Sequence, residues 1–456
     1  MPPTGNRSHT AWTDPPYQEA AEVLAGDLDR GAASPAASRF LDLLGYDPAS
    51  FSPAEIGNRT ALLRFAARMD VLMPYRGPNA PGLLFFLGMF APASFAEGVS
   101  DQERVSTTGA DPWPGPAFEA AVGEAVEYAS QFDRGIGQPT IRGYDAMGSV
   151  TAIEESGLAA MLGLGDPHAL AALDWLPAWR LRDGATTAAP ADLCFRRPPA
   201  HGRPRAAAPL SIGCAAAPTL DDAVLSGLLE LVERDAAALW WRGGEPAAGL
   251  ALEGTALRDA VKFLQEIRRG VDARSTWLLD ITSDLGIPCV AALSMDRDGR
   301  KLACGLAAGL SLDRAARGAL REMGQYELAY HLIDAKRRAD PAYVPNPLEQ
   351  EQLQRGAGVR ANDQPLLHPM RAPRPRADAT RMEPAEAISW IASRLDAIGL
   401  TAHAVDLTQA DFAVPVAKVI VPGLPLDPSE AVTPRLLQHL RANGLPDSHL
   451  SRPPLH

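Results

Sequence analysis

Residues 226–241 read SGLLELVERDAAALWW, and the reading of the chain grows from them. Glu230 and Glu233 stand three positions apart, with Arg234 directly behind. Positions i and i+3 share one face of a helix, so this stretch aims two carboxylates at one point from inside an apolar run. Earlier in the chain, GEAVEYAS repeats the arrangement at Glu124 and Glu127. One Glu-x-x-Glu alone is what any solvated helix face shows, since Glu is common on helices. Here both pairs lie among Ala, Val and Leu.

Four ionised carboxylates brought together repel strongly, so protons or cations must sit among them. Oxygen-only ligands suit hard cations, Mg2+ above all when phosphates complete the shell. A third helical stretch, LREMGQYEL, carries Glu322 and Gln325 at the same spacing. Gln both donates and accepts, as adenine recognition or ligand orientation requires. There is no GxxxxGK[ST], no GxGxxG opening a helix after a strand, and no GxSxG. The histidines are scattered without an obvious Ser or Cys partner, which argues against a His-based triad.

Hydrophobic residues make up 46% and charged residues 21% of the 456 positions, an ordinary globular balance that predicts two or three units with real cores. The net charge of −12 argues against a nucleic-acid grip built on positive charge. Cys194, Cys214, Cys289 and Cys304 form no CxxC and have no His cluster beside them, so small buried thiols in a reducing compartment are expected. The polar, Pro-rich N-terminus has no apolar signal region. The most apolar run, GLLFFLGMFA, is too short to cross a bilayer and reads as a buried strand or core segment. A cytoplasmic protein without membrane association is expected.

In chain order, residues 1–37 read as a flexible arm, and 38–104 as an N-terminal region of unknown role. Ser52-Pro53 with Glu55 is a helix start: cap, Pro at N1, acid at N3. STTGADPWP reads as a Gly/Pro-punctuated loop leading into the first acidic helix. RRPPAHGRPRAAAP is a basic, Pro-rich surface loop. Thr219 or Asp221 caps the central helix. STWLLDIT, IPCVAALSM and KLACGLAAG predict three strands, and Asp313 opens another helix. Residues 335–385, rich in Arg, Pro and Asp, read as a mobile insertion. A further helix, PAEAISWIASRLDAIG, precedes the strands TAHAVDLT and VAKVIVPG. Strands and helices alternate without a clean βαβ repeat, so the class is α+β with mixed sheets.

The ordered set of stretches resembles the YcaO superfamily. STTG with GEAVEYAS is similar to the family's glycine loop and ExxE helix. SIGCAAAPTLDDAVLSGLLELVERDA is similar to its strand end and ExxER helix. LLDITSDLGIPCVAAL, CGLAAGLSLDRAARGALREMGQ and VDLTQADFAVPVAKVIVPGL resemble its later strand pair, helix and closing strand. The resemblance implies a YcaO-like fold over 105–456, with mixed sheets and packed helices forming an ATP/Mg2+ site, behind a mostly helical N-terminal region. It implies that Glu124, Glu127, Glu230 and Glu233 hold Mg2+, and that Ser226, Arg234, Glu322 and Gln325 serve the ATP. The catalytic base stays unnamed.

The activity so implied is ATP-dependent cyclodehydration, in which backbone amides of a ribosomal precursor peptide become thiazolines or oxazolines. Implied partners are the precursor, an E1-like or leader-binding protein and a flavin-dependent dehydrogenase, in a homodimer or larger complex. The sequence also departs from the family pattern. Tyr128 and Gly318 stand at Arg positions, Ile212 at an Asn position, Ala217 at a Gly position, and the chain ends SRPPLH without PxPxP. These departures leave two alternatives open: thioamide or amidine formation on the same fold, and a non-catalytic scaffold.

Overall fold

The computed structural model describes residues 16–95, 99–100, 102–134, 141–142, 151–153, 155–164, 166–196, 211–252, 257–372, 379–424, 432–452 and 455. The chain opens with three helices, α1 (Tyr17–Ala25), α2 (Pro35–Leu44) and α3 (Pro53–Ala66). Strands β1 (Val71–Arg76), β2 (Leu84–Phe90) and β3 (Val105–Asp111) follow, then α4 (Pro114–Ser130), β4 (Ile141–Arg142), β5 (Thr151–Ala152) and α5 (Glu155–Met161). Next come β6 (Asp174–Arg180), β7 (Thr186–Pro190), β8 (Cys214–Ala216), α6 (Leu220–Trp241), β9 (Ala248–Leu250) and α7 (Arg258–Arg268). The remainder is β10 (Arg274–Asp280), β11 (Cys289–Asp296), β12 (Ala303–Ala308), α8 (Leu312–Ala339), α9 (Pro347–Gly358), α10 (Pro384–Asp396), β13 (His403–Asp406), β14 (Val416–Ile420) and α11 (Pro434–Ala442).

The strands form three sheets of an α+β architecture. One is antiparallel in the order β1-β2-β3, and a second is antiparallel in the order β12-β11-β10-β9. The third runs β5-β7-β6-β13-β14-β8, with β4 also on β6, and mixes a parallel pair (β5 with β7) into antiparallel neighbours. The late strands β13 and β14 enter between β6 and β8, so the end of the chain closes a sheet begun much earlier. Helices α4, α6 and α8 pack on the sheets and carry the two Glu-x-x-Glu pairs and the Glu322–Gln325 pair.

The expected cap of α3 is present: Ser52 accepts from the Glu55 N–H, and the Glu55 carboxylate accepts from the Ser52 N–H. Thr219 caps α6 by accepting from the Asp222 N–H. GLLFFLGMFA contains β2, whose Phe85, Phe86 and Phe90 are buried. The three strands expected between 275 and 309 appear as β10, β11 and β12.

Three expectations are corrected. Residues 1–15 of the expected arm lie outside the described residues, but from Tyr17 the chain is a helix with Ala20, Ala21, Val23 and Leu24 buried. STTGADPWP does not form a loop throughout: Val105–Asp111 is β3, held in register by β2. Ladder pairing overrides the weak strand propensity of its Gly109, Ala110 and Asp111. Because β3 pairs with β2, the first sheet also crosses the boundary drawn at residue 104.

The segment 335–385 is built rather than loose wherever it is described. α8 runs on to Ala339, and α9 begins with a capping box of Asn346 and Glu349. Further on, Trp240 Nε1 donates to the Leu366 carbonyl at 2.9 Å and Trp277 Nε1 to the Leu367 carbonyl at 2.8 Å. Short turns interrupt the periodicity there, so the sequence pattern hides the packing. The Pro-rich positions 197–209 of the basic loop lie outside the described residues.

No described helix is long and apolar enough to cross a membrane. α8 lies close on β12 at Gly305, where a Cβ would sit 2.2 Å from both the Ala319 carbonyl oxygen and the Met323 nitrogen. Both obstacles are helix backbone, so relief requires moving α8. Gly305→Ala is expected to lower stability by about 1–3 kcal/mol, read as a lower urea midpoint. An unchanged midpoint would show that α8 is not held at this distance.

Candidate functional site

Three helices line one cleft, and each places the leading glutamate of its i, i+3 pair against a backbone N–H of the strand or strand end preceding it. On α4, Glu124 Oε2 accepts from the Thr108 N–H of β3 at 2.8 Å. On α6, Glu230 Oε2 accepts from the Gly213 N–H beside β8 at 2.8 Å. On α8, Glu322 Oε2 accepts from the Leu306 N–H of β12 at 2.6 Å. Glu233, one turn along α6, accepts from the backbone N–H of Ala308 at the end of β12. α6 therefore bridges two sheets through its two carboxylates. Gly213 permits its share of this: its φ of +79° favours glycine, and a Cβ would lie 2.6 Å from the Val419 carbonyl oxygen.

The acids feel one another. Glu124 stays open to solvent along one edge, yet the protein packed around it pushes its carboxyl up to about 7, against the pull of the Thr108 N–H. Burial raises Glu127 well above the usual range, and the charges of Glu230 and Glu124 add to this while Lys418 offsets part of it. Burial likewise lifts Glu233 to about 8; Arg234 and the Ala308 N–H oppose, and Glu322 and Glu230 reinforce. Glu322 is raised by burial, with Arg234 and the Leu306 N–H pulling it back. Glu127 is thus coupled to Glu124 and Glu230, and Glu233 to Glu230 and Glu322, through their charges.

Among the described residues no three His, Cys, Asp or Glu side chains come close enough to hold a metal ion by themselves. The ties above contribute to this: Glu124, Glu230, Glu233 and Glu322 are each held on a backbone N–H. What remains is a set of oxygen donors carried by three helices. Such a set suits Mg2+, which binds one or two carboxylates and completes its shell with phosphates and water. The cationic side fits an anion too. Arg234 lies 3.5 Å from Glu230 and 3.6 Å from Glu233, and its Nε is buried without a hydrogen-bond partner. That Nε is the atom nearest Glu233 Oε1, an ion pair too long for a hydrogen bond, and a phosphate oxygen is a suitable acceptor for a guanidinium in that state.

Other residues singled out in the sequence fall in distinct places. Ser226 is exposed one helical turn before Glu230, on the same face of α6. Gln325 Nε2 donates to the Thr108 carbonyl at 3.0 Å, so its amide ties α8 to β3 and is committed to backbone. Gly318 faces Ala307, where even a Cβ would come within 2.8 Å, so an arginine does not fit there without displacement. Sequence reading passed over Lys418. It is 3% exposed on β14, donates to the Ile212 carbonyl at 2.7 Å, and faces Glu127 electrostatically. Its signal was available: one Lys inside the otherwise apolar VAKVIV.

The raised carboxyls give stability a pH sign. A group whose folded pKa lies above its unfolded value contributes fully below the unfolded value and loses that contribution as pH rises through the folded one. For Glu233 the window runs from about 4.5 to about 8. Wild type should therefore lose stability relative to Glu233→Gln as pH climbs across that window, checked by melting both proteins from pH 5 to 9. A constant difference would contradict the burial of Glu233 as an acid.

The wider comparisons agree with this architecture. A family model described as YcaO cyclodehydratase, ATP- and Mg2+-binding, matches residues 114–425. No curated protein sequence matches. Among solved structures, a heterocyclase in complex with substrate and cofactor aligns with a TM-score of 0.64 at 23% identity, over 84% of this chain and 54% of that one. The chain thus spans about half the length of that heterocyclase. YcaO from Methanopyrus kandleri bound with AMPPCP and Mg2+ aligns with a TM-score of 0.56 at 20% identity, over 84% and 94% of the two chains. The E. coli microcin synthetase McbBCD complex with pro-MccB17 bound aligns with a TM-score of 0.54 at 15% identity, over 78% and 88%. At these identities the structures speak for the fold. The family match runs from the first residue of α4 to just past β14 and takes in every acidic helix of the cleft, and on that ground the chain belongs to the YcaO family of ATP- and Mg2+-binding cyclodehydratases.

Proposed function

We propose that this protein converts Cys, Ser or Thr residues of a precursor peptide into azolines, using ATP to turn the amide oxygen into a leaving group. The observation that carries the proposal is the gathering of charge around Arg234: Glu230 and Glu233 of α6 pair with it, Glu322 of α8 acts on it, and Glu127 of α4 is coupled to Glu230. This is a poor site for a neutral ligand and a good one for a metal-bound polyphosphate. In this reading Glu124, Glu127, Glu230 and Glu233 hold Mg2+, and bound Mg2+ supplies neutralisation of phosphate charge. Arg234 donates to phosphate oxygen. Glu322, clamped by the Leu306 N–H, lines the nucleotide's wall, and Gln325 fixes that wall to β3. Ser226 extends the α6 face toward solvent.

The chemistry balances simply. The side-chain thiol or hydroxyl loses its proton to solvent and adds to the preceding carbonyl carbon, forming the ring bond and leaving an oxyanion. That oxygen takes the terminal phosphoryl group of ATP, and ADP leaves. The ring nitrogen then expels phosphate, forming C=N, and gives up its proton. The peptide loses one water per ring. The fold's contribution is positioning and preset charge. The peptide held in the microcin synthetase complex supports a peptide substrate and a working assembly with partner proteins, such as an E1-like or leader-binding protein and a flavin-dependent dehydrogenase.

Incubation of the protein with Mg2+, ATP, precursor and partner, followed by mass measurement of the peptide, checks the reaction. Loss of one water per ring is expected. A gain equal to oxygen-to-sulfur exchange would replace azoline formation with thioamide formation, and an unchanged mass with no nucleotide bound would leave a scaffold. Glu230→Gln and Glu233→Gln are each expected to cut ATP turnover by at least about a hundredfold while the protein stays folded by circular dichroism. Near-normal turnover in either would remove that residue from the metal assignment.

A further inference from the structure

A second guanidinium stands at the α4 end of the cleft. Arg196 lies with its Cζ 4.3 Å from the ring centroid of Tyr128, one residue past Glu127. The ring is itself fixed, edge-on to Phe90 and tilted against Phe132. The backbone N–H of Arg196 donates to the Gln131 carbonyl at 2.5 Å, which pins the start of the side chain to the end of α4. Its Nε reaches Gln131 Oε1 at 3.3 Å and its NH2 group reaches Ser211 Oγ at 3.4 Å. Both acceptors are neutral and both contacts long. Among the described residues Arg196 has no carboxylate partner.

The neighbours place this charge at the cleft. Gln131 is one helical turn beyond Glu127 on the same face of α4. Ser211 is followed by Ile212, whose carbonyl holds Lys418, and by Gly213, whose N–H holds Glu230. Glu127, Glu230 and Lys418 are the groups that act on one another across this end of the site. A half-buried guanidinium stacked on an aromatic face and lacking an anion is preset for one, because its orientation is already fixed and its usual partner is missing. In a cleft crowded with carboxylates, that anion must arrive bound to cations, as a nucleotide polyphosphate does.

We propose that Arg196, mounted on the Tyr128 ring, contacts the outer phosphates of the nucleotide. The proposal rests on the reading of the cleft as an ATP site, and the test separates the two. Full-length wild type, Arg196→Gln, Arg196→Lys and Tyr128→Leu are titrated calorimetrically with ATP in Mg2+ and, separately, with AMP, which lacks the outer phosphates. Arg196→Gln should weaken ATP binding roughly tenfold or more and leave AMP binding unchanged. Arg196→Lys should recover part of the loss, and Tyr128→Leu should fall between wild type and Arg196→Gln. Added KCl should narrow the gap between wild type and Arg196→Gln. Equal ATP affinity in Arg196→Gln and wild type overturns the proposal and spares the ATP site. Equal weakening of ATP and AMP also overturns it, since that is the mark of a general distortion. A wild type that binds neither nucleotide overturns the ATP reading itself.

Discussion

Glu124, Glu230, Glu233 and Glu322 each accept a hydrogen bond from a backbone N–H, and the site depends on these ties. Carboxylates facing one space repel, and burial makes each charge harder to keep. A fixed N–H dipole stabilises the charged form without adding a mobile counter-ion. It also sets the distance: the acids are drawn back to their strands and cannot collapse onto one another. The consequence is a site where raised carboxyls act on one another and where, among the described residues, no ready-made metal cage exists.

Those ties only work if the strands stay close to the helices. Gly305 under α8, and Gly227 of α6 where it meets the Gly213 carbonyl, supply that closeness by having no side chain. Elsewhere the same helices are held by a different device. Glu327, on α8 beyond the cleft, is buried and accepts both terminal nitrogens of Arg268 at 2.6 and 2.7 Å, with Arg274 Nε 3.3 Å away. This paired acid joins α8 to α7 and β10, and its charges are compensated within the fold. The contrast is informative: buried Glu327 has its charge met by two arginines, while most of the acids in the cleft lean on backbone and on one shared arginine.

Departures from the family pattern gain physical meaning from position. Gly318 stands where α8 meets Ala307 too closely for a larger residue. Tyr128 joins an aromatic group with Phe90 and Phe132 and offers its face to Arg196. Ile212 contributes its carbonyl, to Lys418, so the identity of its side chain is not what holds that lysine. These positions describe a cleft with its own internal fit.

What could be read along the chain was whatever repeats locally. The i, i+3 spacing of Glu230 with Glu233, of Glu124 with Glu127 and of Glu322 with Gln325 follows from helix geometry, as do the caps at Ser52 and Thr219 and the apolar runs of β2 and β11. Partners distant in sequence could not be read that way. The strand nature of STTGAD depends on pairing with β2, and the placing of Leu366 and Leu367 depends on tryptophans reaching from α6 and β10. The commitment of Gln325 to the Thr108 carbonyl, the place of Lys418 beside Glu127, and Arg196 over Tyr128 all join segments that meet only when the sheets close. The sequence by itself determined which side chains share a helix face, because that is set by the rise and turn of one element. The tertiary structure alone decided which of them meet across the cleft and which are already satisfied, because each such contact needs a donor from a strand that another part of the chain holds in place.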